Sequence, residues 1–113
     1  MRILNRAVYI VRYREPYLRW AASLDDKASA HAAELPTAMS VYLVPEDPTG
    51  QDETPPLHDF FEAIFTQELK SWWTDESQWP EKRDFVTFQQ WFEVTSHSMV
   101  MDLGTGPIRI EQL

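Results

Sequence analysis

Residues 7–13 form the first strongly patterned segment, rich in β-branched and aromatic residues, and they predict a first strand. Pro16 then breaks this pattern at a position suited to the first turn of a helix. Four apolar residues follow at helical spacing and predict a first helix: Tyr17, Trp20, Ala21 and Leu24. Residues 27–37 either extend this helix or form a loop.

A second alternating segment, residues 39–44, predicts a second strand that ends at Pro45. The polar residues 46–53 predict a loop. Thr54 and Pro55 then supply an N-cap and a first-turn proline for a second helix. The apolar stripe of this helix keeps the 3.6-residue period for four turns: Leu57, Phe60, Phe61, Ile64, Phe65, Leu69 and Trp72.

The last part of the chain predicts one more helix and one more strand. Residues 74–83 indicate a connecting turn, after which Asp84 caps a third amphipathic helix. Its apolar positions are Phe85, Phe88, Trp91 and Phe92. Residues 94–103 return to period two and predict a third strand, and residues 108–110 predict a short edge strand.

The element order β-α-β-α-α-β predicts a single α+β domain over residues 1–113. If every connection reverses the chain direction, the first two strands are parallel and the third runs against them. We therefore expect a small mixed three-stranded sheet with helices packed on one face.

Alternation along a strand divides each strand into a covered and an open side. We predict that the first strand turns Tyr9 and Val11 toward the helices and Arg12 away from them. In the second and third strands, Met39, Val41, Leu43, Met99 and Met101 are expected to point inward, leaving Ser40, Tyr42, Val44, Ser96, Ser98, Val100 and Asp102 on the open side.

This open side, around Ile10, Arg12, Tyr42 and Val100, is predicted to be a surface for a protein partner or for self-association, because apolar groups there would be poorly covered in a monomer. The alternative is that a terminal segment or the loop at 45–53 covers it.

Charge and composition narrow the function classes. The net charge is −8, which disfavours direct binding to nucleic acid and to anionic membranes. Residues 1–24 carry five Arg against Glu15 alone, so the basic charge is concentrated at one end. The chain has no Cys, which excludes disulfides and thiolate chemistry. No apolar run is long enough to span a membrane, and we predict a cytoplasmic location.

The motifs that could carry catalysis are weak. His58 and Glu62 share a helix face, but two ligands are too few for a metal, and we predict none. His97 and its serine neighbours alternate in direction along a strand, so the histidine cannot activate either serine directly. Pro107 removes a backbone donor just after Gly106, and we predict no nucleotide or other cofactor.

Four tryptophans fall within residues 72–92. Trp72 and Trp91 continue apolar stripes and are predicted to lie in the core, whereas Trp73 and Trp79 are expected to be exposed and available to a ligand. A set of acidic residues could also imitate nucleic-acid phosphates toward a basic partner. It comprises Glu46, Asp47, Asp52, Glu53, Asp59, Glu62, Glu68, Asp75 and Glu76.

The segment Trp73-Thr-Asp-Glu-Ser-Gln-Trp-Pro80, together with Phe88-x-x-Trp91-Phe92 and His97-Ser-Met-Val-x-Asp-Leu103, resembles a group of small uncharacterised bacterial proteins. Tyr42-Leu-Val-Pro45 and Trp20-Ala-x-Ser-Leu-Asp25 fit the same group. The resemblance implies a bacterial, cytoplasmic protein. It carries over no catalytic or binding residue.

These observations together predict a small acidic protein-interaction module rather than an enzyme. The residues predicted to bind are Arg12, Arg14, Tyr42, Trp73 and Trp79. One alternative is a small-molecule-binding protein or enzyme with a site near His58, His97 and the tryptophans. A second alternative is a nucleic-acid mimic that inhibits a basic partner.

Overall fold

The computed structural model describes residues 1–35, 39–46 and 56–113. Five strands and four helices follow one another along the described residues: β1 (Arg2–Ile3), β2 (Arg6–Tyr13), α1 (Glu15–Ala22), α2 (Asp26–Ala32), β3 (Met39–Pro45), α3 (Phe61–Trp72), α4 (Phe85–Trp91), β4 (Phe92–His97) and β5 (Met101–Asp102). Short 3-10 turns at Leu57–Asp59 and Glu76–Gln78 precede α3 and α4. The helices pack against one face of the main sheet, which confirms the α+β fold class.

The main sheet is antiparallel, with the strand order β3-β2-β4 and β2 in the centre. The prediction of a mixed sheet with parallel first and second strands is therefore wrong. Two helices, α1 and α2, separate β2 from β3, and the extra helix reverses the chain once more. The second helix has its own start signal, because the Asp25 carboxylate caps it by accepting a hydrogen bond from the Ala28 N–H at 2.6 Å.

The two amphipathic helices after β3 are confirmed, with one shift in their bounds. The α-helix proper begins at Phe61, after the 3-10 turn at Leu57–Asp59. The predicted cap at Thr54 and Pro55 lies outside the described residues, as does most of the predicted loop. Asp84 caps α4 as predicted, since its Oδ1 accepts from the Thr87 N–H at 2.8 Å.

The predicted third strand is divided into two pieces. β4 begins directly after α4 at Phe92 and ends at His97, and β5 follows after a bend. β5 pairs with β1, a short strand that the sequence pattern did not indicate. The strand predicted at residues 108–110 is wrong, because that segment has no regular secondary structure.

The core fills the space between the sheet and the helices. Its largest fully buried side chains come from every layer: Val11 from β2, Tyr17 from α1, Ile64, Phe65 and Leu69 from α3, Phe88 from α4 and Phe92 from β4. Phe65 and Phe92 meet edge to face, with their ring centroids 5.4 Å apart. Such contacts add to the free energy gained by burying each ring.

β1 and β5 extend the β2/β4 pair beyond the end of β3. Ile3 pairs with Met101, and Val8 pairs with His97. The first residues of these two pairs are five positions apart in the sequence, whereas their partners are only four positions apart. The regular pairing is interrupted at this junction, where Asn5 and Ser98 are both bends and β1 and β5 form a separate two-stranded sheet. The radius of gyration is 16.0 Å, larger than the roughly 13 Å of a compact domain of this length. Residues 1–5 and 98–113 are named the arm below.

Candidate interaction surface

The face of the main sheet turned away from the helices is named the open face. The register with β2 decides which residues lie on it: Val8 is opposite Leu43 and His97, and Ile10 is opposite Val41 and Thr95. Its described side chains belong to Arg6, Val8, Ile10, Arg12, Val41, Leu43, Glu93, Thr95 and His97. Val41 is 62% exposed and Leu43 is 53% exposed, so the β3 edge of this face is an accessible apolar patch, whereas Val8 in the central strand is only 8% exposed.

The charges on the open face differ in sign from those of the chain as a whole. Arg6 and Arg12 lie at the two ends of the β2 row and are exposed, and Glu93 lies opposite Arg12. Within the described ranges neither arginine forms an ion pair with a carboxylate. The face is therefore net positive on a chain whose net charge is −8.

Two of the five predicted binding residues belong to this region. Arg12 lies on the open face as predicted, next to Ile10. Arg14 is exposed immediately beyond the end of β2, where its backbone N–H donates to the Trp91 carbonyl at 2.9 Å.

The predicted orientation of β3 is wrong. Tyr42 is opposite Tyr9 and faces the helices, and Val44 is only 3% exposed, whereas Val41 and Leu43 point to solvent. Hydrophobicity alone predicted that the side of the strand with Val41 and Leu43 faces the helices. The buried side of this strand carries polar hydroxyls because they bind a buried carboxylate, described below.

The predicted inward side of the third strand is wrong as well. Met99 is 61% exposed, Met101 is 53% exposed and His97 lies exposed on the open face, whereas Ser96 is opposite Tyr9 on the covered face. The chain bends after β4, so one alternation does not continue through residues 94–103. Val100 is not on the open face but lies in the arm, where its carbonyl accepts from the Leu4 N–H.

Trp79 is buried, not exposed as predicted. Its side chain is 9% exposed and its indole Nε1–H donates to the Trp73 carbonyl at 2.7 Å. Trp73 is half-buried and lines a cleft of about 400 Å³ with Trp72 and His31. Trp72 packs against the core and donates to the Ala21 carbonyl at 3.0 Å. The indole groups of Trp72 and Trp79 therefore stabilise the fold.

The two histidines of the alternative site are not brought together. His58 contacts Phe61 and Phe85 in the helical layer, with ring centroids 5.4 and 5.1 Å apart, whereas His97 is on the other face of the sheet. Among the residues that the structure describes, no three His, Asp or Glu side chains cluster as they would to hold a metal ion. None of the described helices is both long and apolar enough to cross a membrane.

The sequence interpretation also placed Glu68 on the surface, but this carboxylate is 2% exposed. Its Oε1 accepts hydrogen bonds from the Tyr13 hydroxyl at 2.9 Å and from the Ser40 hydroxyl at 2.7 Å. The Tyr42 hydroxyl donates to Oε2, and the Tyr17 hydroxyl donates to the Glu68 backbone carbonyl at 2.9 Å. These contacts, named the Glu68 cluster, join α3 to β2, β3 and α1.

The Glu68 cluster raises the pKa of its tyrosines, mainly because burial disfavours the charged phenolate. The pKa of Tyr13 rises from 10.0 to about 12, and the pKa values of Tyr17 and Tyr42 also rise. Hydrogen bonding to the Glu68 carboxylate and its negative charge add to the increase for Tyr42.

We expect the protein to lose stability in alkaline solution. Because these pKa values are raised on folding, the stabilisation is complete below the ordinary value of 10.0 and is lost as the pH rises through the raised values. Two pKa units correspond to about 2.7 kcal/mol, and since Tyr13 is only half-buried we expect about 1 kcal/mol from it. Urea unfolding of the wild type and of Tyr42→Phe at increasing pH measures this loss of stability. If the stability of Tyr42→Phe falls with pH as steeply as that of the wild type, the loss is not due to the tyrosines of the Glu68 cluster.

Comparison with known proteins assigns the chain to no family. No protein-family profile, curated protein or solved structure matches the chain. The resemblance to small bacterial proteins stays a prediction, and the function has to be argued from the surfaces of the molecule.

Proposed function

We propose that this protein is a small cytoplasmic protein-interaction module that binds a protein through its open face. The observation that carries the proposal is the exposure of Val41 and Leu43 on the β3 edge of that face. An antiparallel sheet with one solvated face normally places polar residues on that face. Here the β2 and β3 residues of the two central rows are apolar instead, with Val8 opposite Leu43 and Ile10 opposite Val41.

The energetics of this patch suit a binding site. Val41 and Leu43 are each more than half exposed, so covering them contributes about 1–2 kcal/mol apiece. Apolar residues in the centre of an interface, surrounded by polar residues that exclude water, supply most of the affinity of typical protein complexes.

The arginines complete the surface. Arg6 and Arg12 lie on either side of the apolar centre, and their positive charge reduces the repulsion that a chain of net charge −8 exerts on another acidic protein. They can also bind carboxylates of the partner with two hydrogen bonds each. The expected partner therefore presents apolar side chains together with neutral or acidic groups.

A tagged pull-down from native lysate tests the proposal. We expect Val41→Glu together with Leu43→Glu to reduce partner capture at least tenfold, because two carboxylates would be buried against an apolar surface. Val86→Glu is the matched control, since Val86 on α4 is also 62% exposed but lies in the helical layer. Equal capture by the double variant and by this control, with far-UV circular dichroism showing both folded, would exclude the open face as the binding site.

The alternative functions have less support from the geometry. His58 and His97 lie on different sides of the sheet. The lining of the cleft beside Trp73 includes charged and polar groups, among them Asp25, whose carboxylate already caps α2. Typical small-molecule sites are mostly apolar with a few convergent polar groups. Burial of Glu68 removes one residue from the acidic set that could imitate nucleic acid.

A further inference from the structure

The arm has one apolar and one charged face. Ile3 is opposite Met101, so the two side chains lie on the same face of the β1/β5 ribbon, and they are 66% and 53% exposed. Arg2 and Asp102 are opposite each other on the other face and form an ion pair. Arg2 also donates to the Gly106 carbonyl at 2.6 Å. The charged face is therefore satisfied within the arm, whereas the apolar face has no cover.

The exposed apolar character continues along the rest of the arm. Apart from the terminal residues Met1 and Leu113, six of its large apolar side chains are each more than half exposed: Ile3, Met99, Met101, Leu103, Ile108 and Ile110. A two-stranded ribbon is only marginally stable in water even when its strands are longer, and β1 and β5 have two residues each. An arm of this composition needs another surface to pack against.

We propose that the open face binds the arm of a second copy of this chain, so that two copies exchange arms around a two-fold axis. This inference deepens the proposed function and rests on it. In a two-fold arrangement, the arm of one copy covers Val41 and Leu43 of the other, and the same contact is made in return. The apolar residues of the arm and of the open face are then covered together.

The direction of the arm favours a second copy over the chain's own open face. The β1/β5 ribbon continues the β2/β4 pair past Pro45, the residue of β3 that is opposite Arg6 at the end of the main sheet. To reach its own open face, the ribbon would have to fold back sharply at the junction between the two sheets. A chain with an outward arm is elongated, and the principal extents of this one are 45 × 31 × 24 Å.

The available area is sufficient for a stable dimer. Complete burial of a large apolar side chain removes about 60–120 Å² from water. Six such side chains, on average about two-thirds exposed, offer about 350 Å² in each arm and about 700 Å² in two arms. The surfaces that they cover roughly double this figure, which reaches the range of about 1,200–2,000 Å² for stable complexes.

The charges permit this contact although the chain is acidic. The arm has Arg2 and Arg109 against Asp102 and Glu111, so it is neutral, and the open face is net positive. Two chains of net charge −8 repel each other over most of their surfaces. Contact between a neutral arm and a basic face avoids that repulsion.

Sedimentation equilibrium of the purified full chain is the first test. We expect a mass of twice 13.3 kDa for the wild type. The face variant (Val41→Glu with Leu43→Glu) and the arm variant (Ile3→Glu with Met101→Glu) should be monomers, and Val86→Glu should remain a dimer. An equimolar mixture of the face and arm variants should form a heterodimer, because one intact arm can still bind one intact face.

Cysteine pairing gives a milder test that does not introduce charge, since the chain has no Cys of its own. We expect Leu43→Cys and Met101→Cys variants, when mixed and oxidised, to form a disulfide-linked heterodimer in preference to either homodimer. When both substitutions are in one chain, an internal disulfide in a monomer would show that the arm covers its own face and would overturn the inference.

The outcomes separate this inference from the proposed function. A monomeric wild type, or a dimer that survives both the arm and the face substitutions, overturns the arm exchange. If the wild type is monomeric and lysate capture still depends on Val41 and Leu43, the interaction module stands and another protein occupies the face. If capture is also unaffected, both proposals fail.

Discussion

Replacing Glu68 with alanine should lower the free energy of unfolding by about 4 kcal/mol, because hydroxyl groups of the Glu68 cluster lose a shared charged acceptor. Tyr13, Ser40 and Tyr42 all donate to this carboxylate. Hydrogen bonds to a charged group contribute about 1.5–3 kcal/mol each, and partial access to water offsets some of the loss. Urea unfolding followed by tryptophan fluorescence measures the difference.

Conservative and control variants identify the carboxylate as the cause. We expect Glu68→Gln to cost about 2 kcal/mol, since the amide keeps one acceptor oxygen but replaces the other with a donor. Glu62→Gln, at an exposed position on the same helix, should change stability by less than about 0.5 kcal/mol. If Glu68→Gln is as stable as the Glu62 control, the hydroxyls do not depend on the charged acceptor.

Trp79→Ala is the second substitution with a large expected effect, a loss of about 3–5 kcal/mol of stability. The side chain is 9% exposed and packs in the core cluster, so its removal leaves a cavity and frees the Trp73 carbonyl. The guanidinium of Arg83 also lies 5.8 Å from the centre of the ring. Thermal unfolding by circular dichroism measures the loss.

Trp79→Phe distinguishes packing from hydrogen bonding at this position. It retains most of the buried ring and loses only the N–H donor, so we expect about 1–2 kcal/mol. Partner capture at low temperature, where both variants are folded, should equal that of the wild type. A variant of Trp79 that kept full stability but lost capture would restore the sequence prediction of a binding residue.

The elements whose periodicity was unambiguous could be predicted from the sequence. β2 has Tyr9 and Val11 on one side and Arg12 on the other, so its covered face followed from alternation alone. α3 and α4 followed from apolar stripes of adequate length, and Asp84 marked the start of α4.

The direction and orientation of β3 could not be derived in the same way. The direction depends on α2 being a separate helix, whose local start signal is the Asp25 cap. The orientation depends on a carboxylate of another element that requires hydroxyl partners. Val41 and Leu43 are more hydrophobic than Ser40 and Tyr42, so a ranking by hydrophobicity selected the solvent-exposed side. That inversion placed Tyr42 on the interaction surface and left Val41 and Leu43 off it.

One sequence signal for the Glu68 cluster was present. Glu68 is four residues after Ile64, three after Phe65 and seven after Phe61, which places it on the apolar stripe of α3. A carboxylate within such a stripe requires buried donors. Their identity depends on strand register, which one sequence does not specify.

The position of Glu68 also bears on how accurately β3 pairs with β2 during folding. A shift of β3 by one residue would turn Ser40 and Tyr42 to solvent and bring Val41 against the carboxylate, since neighbouring side chains of a strand point to opposite faces. The charge would then be buried without its donors, at a cost far above that of an ordinary packing error. Docking of α3 therefore stabilises only the correct alignment of β3, although Glu68 and Ser40 are 28 residues apart in the sequence. Misaligned chains should reopen rather than accumulate.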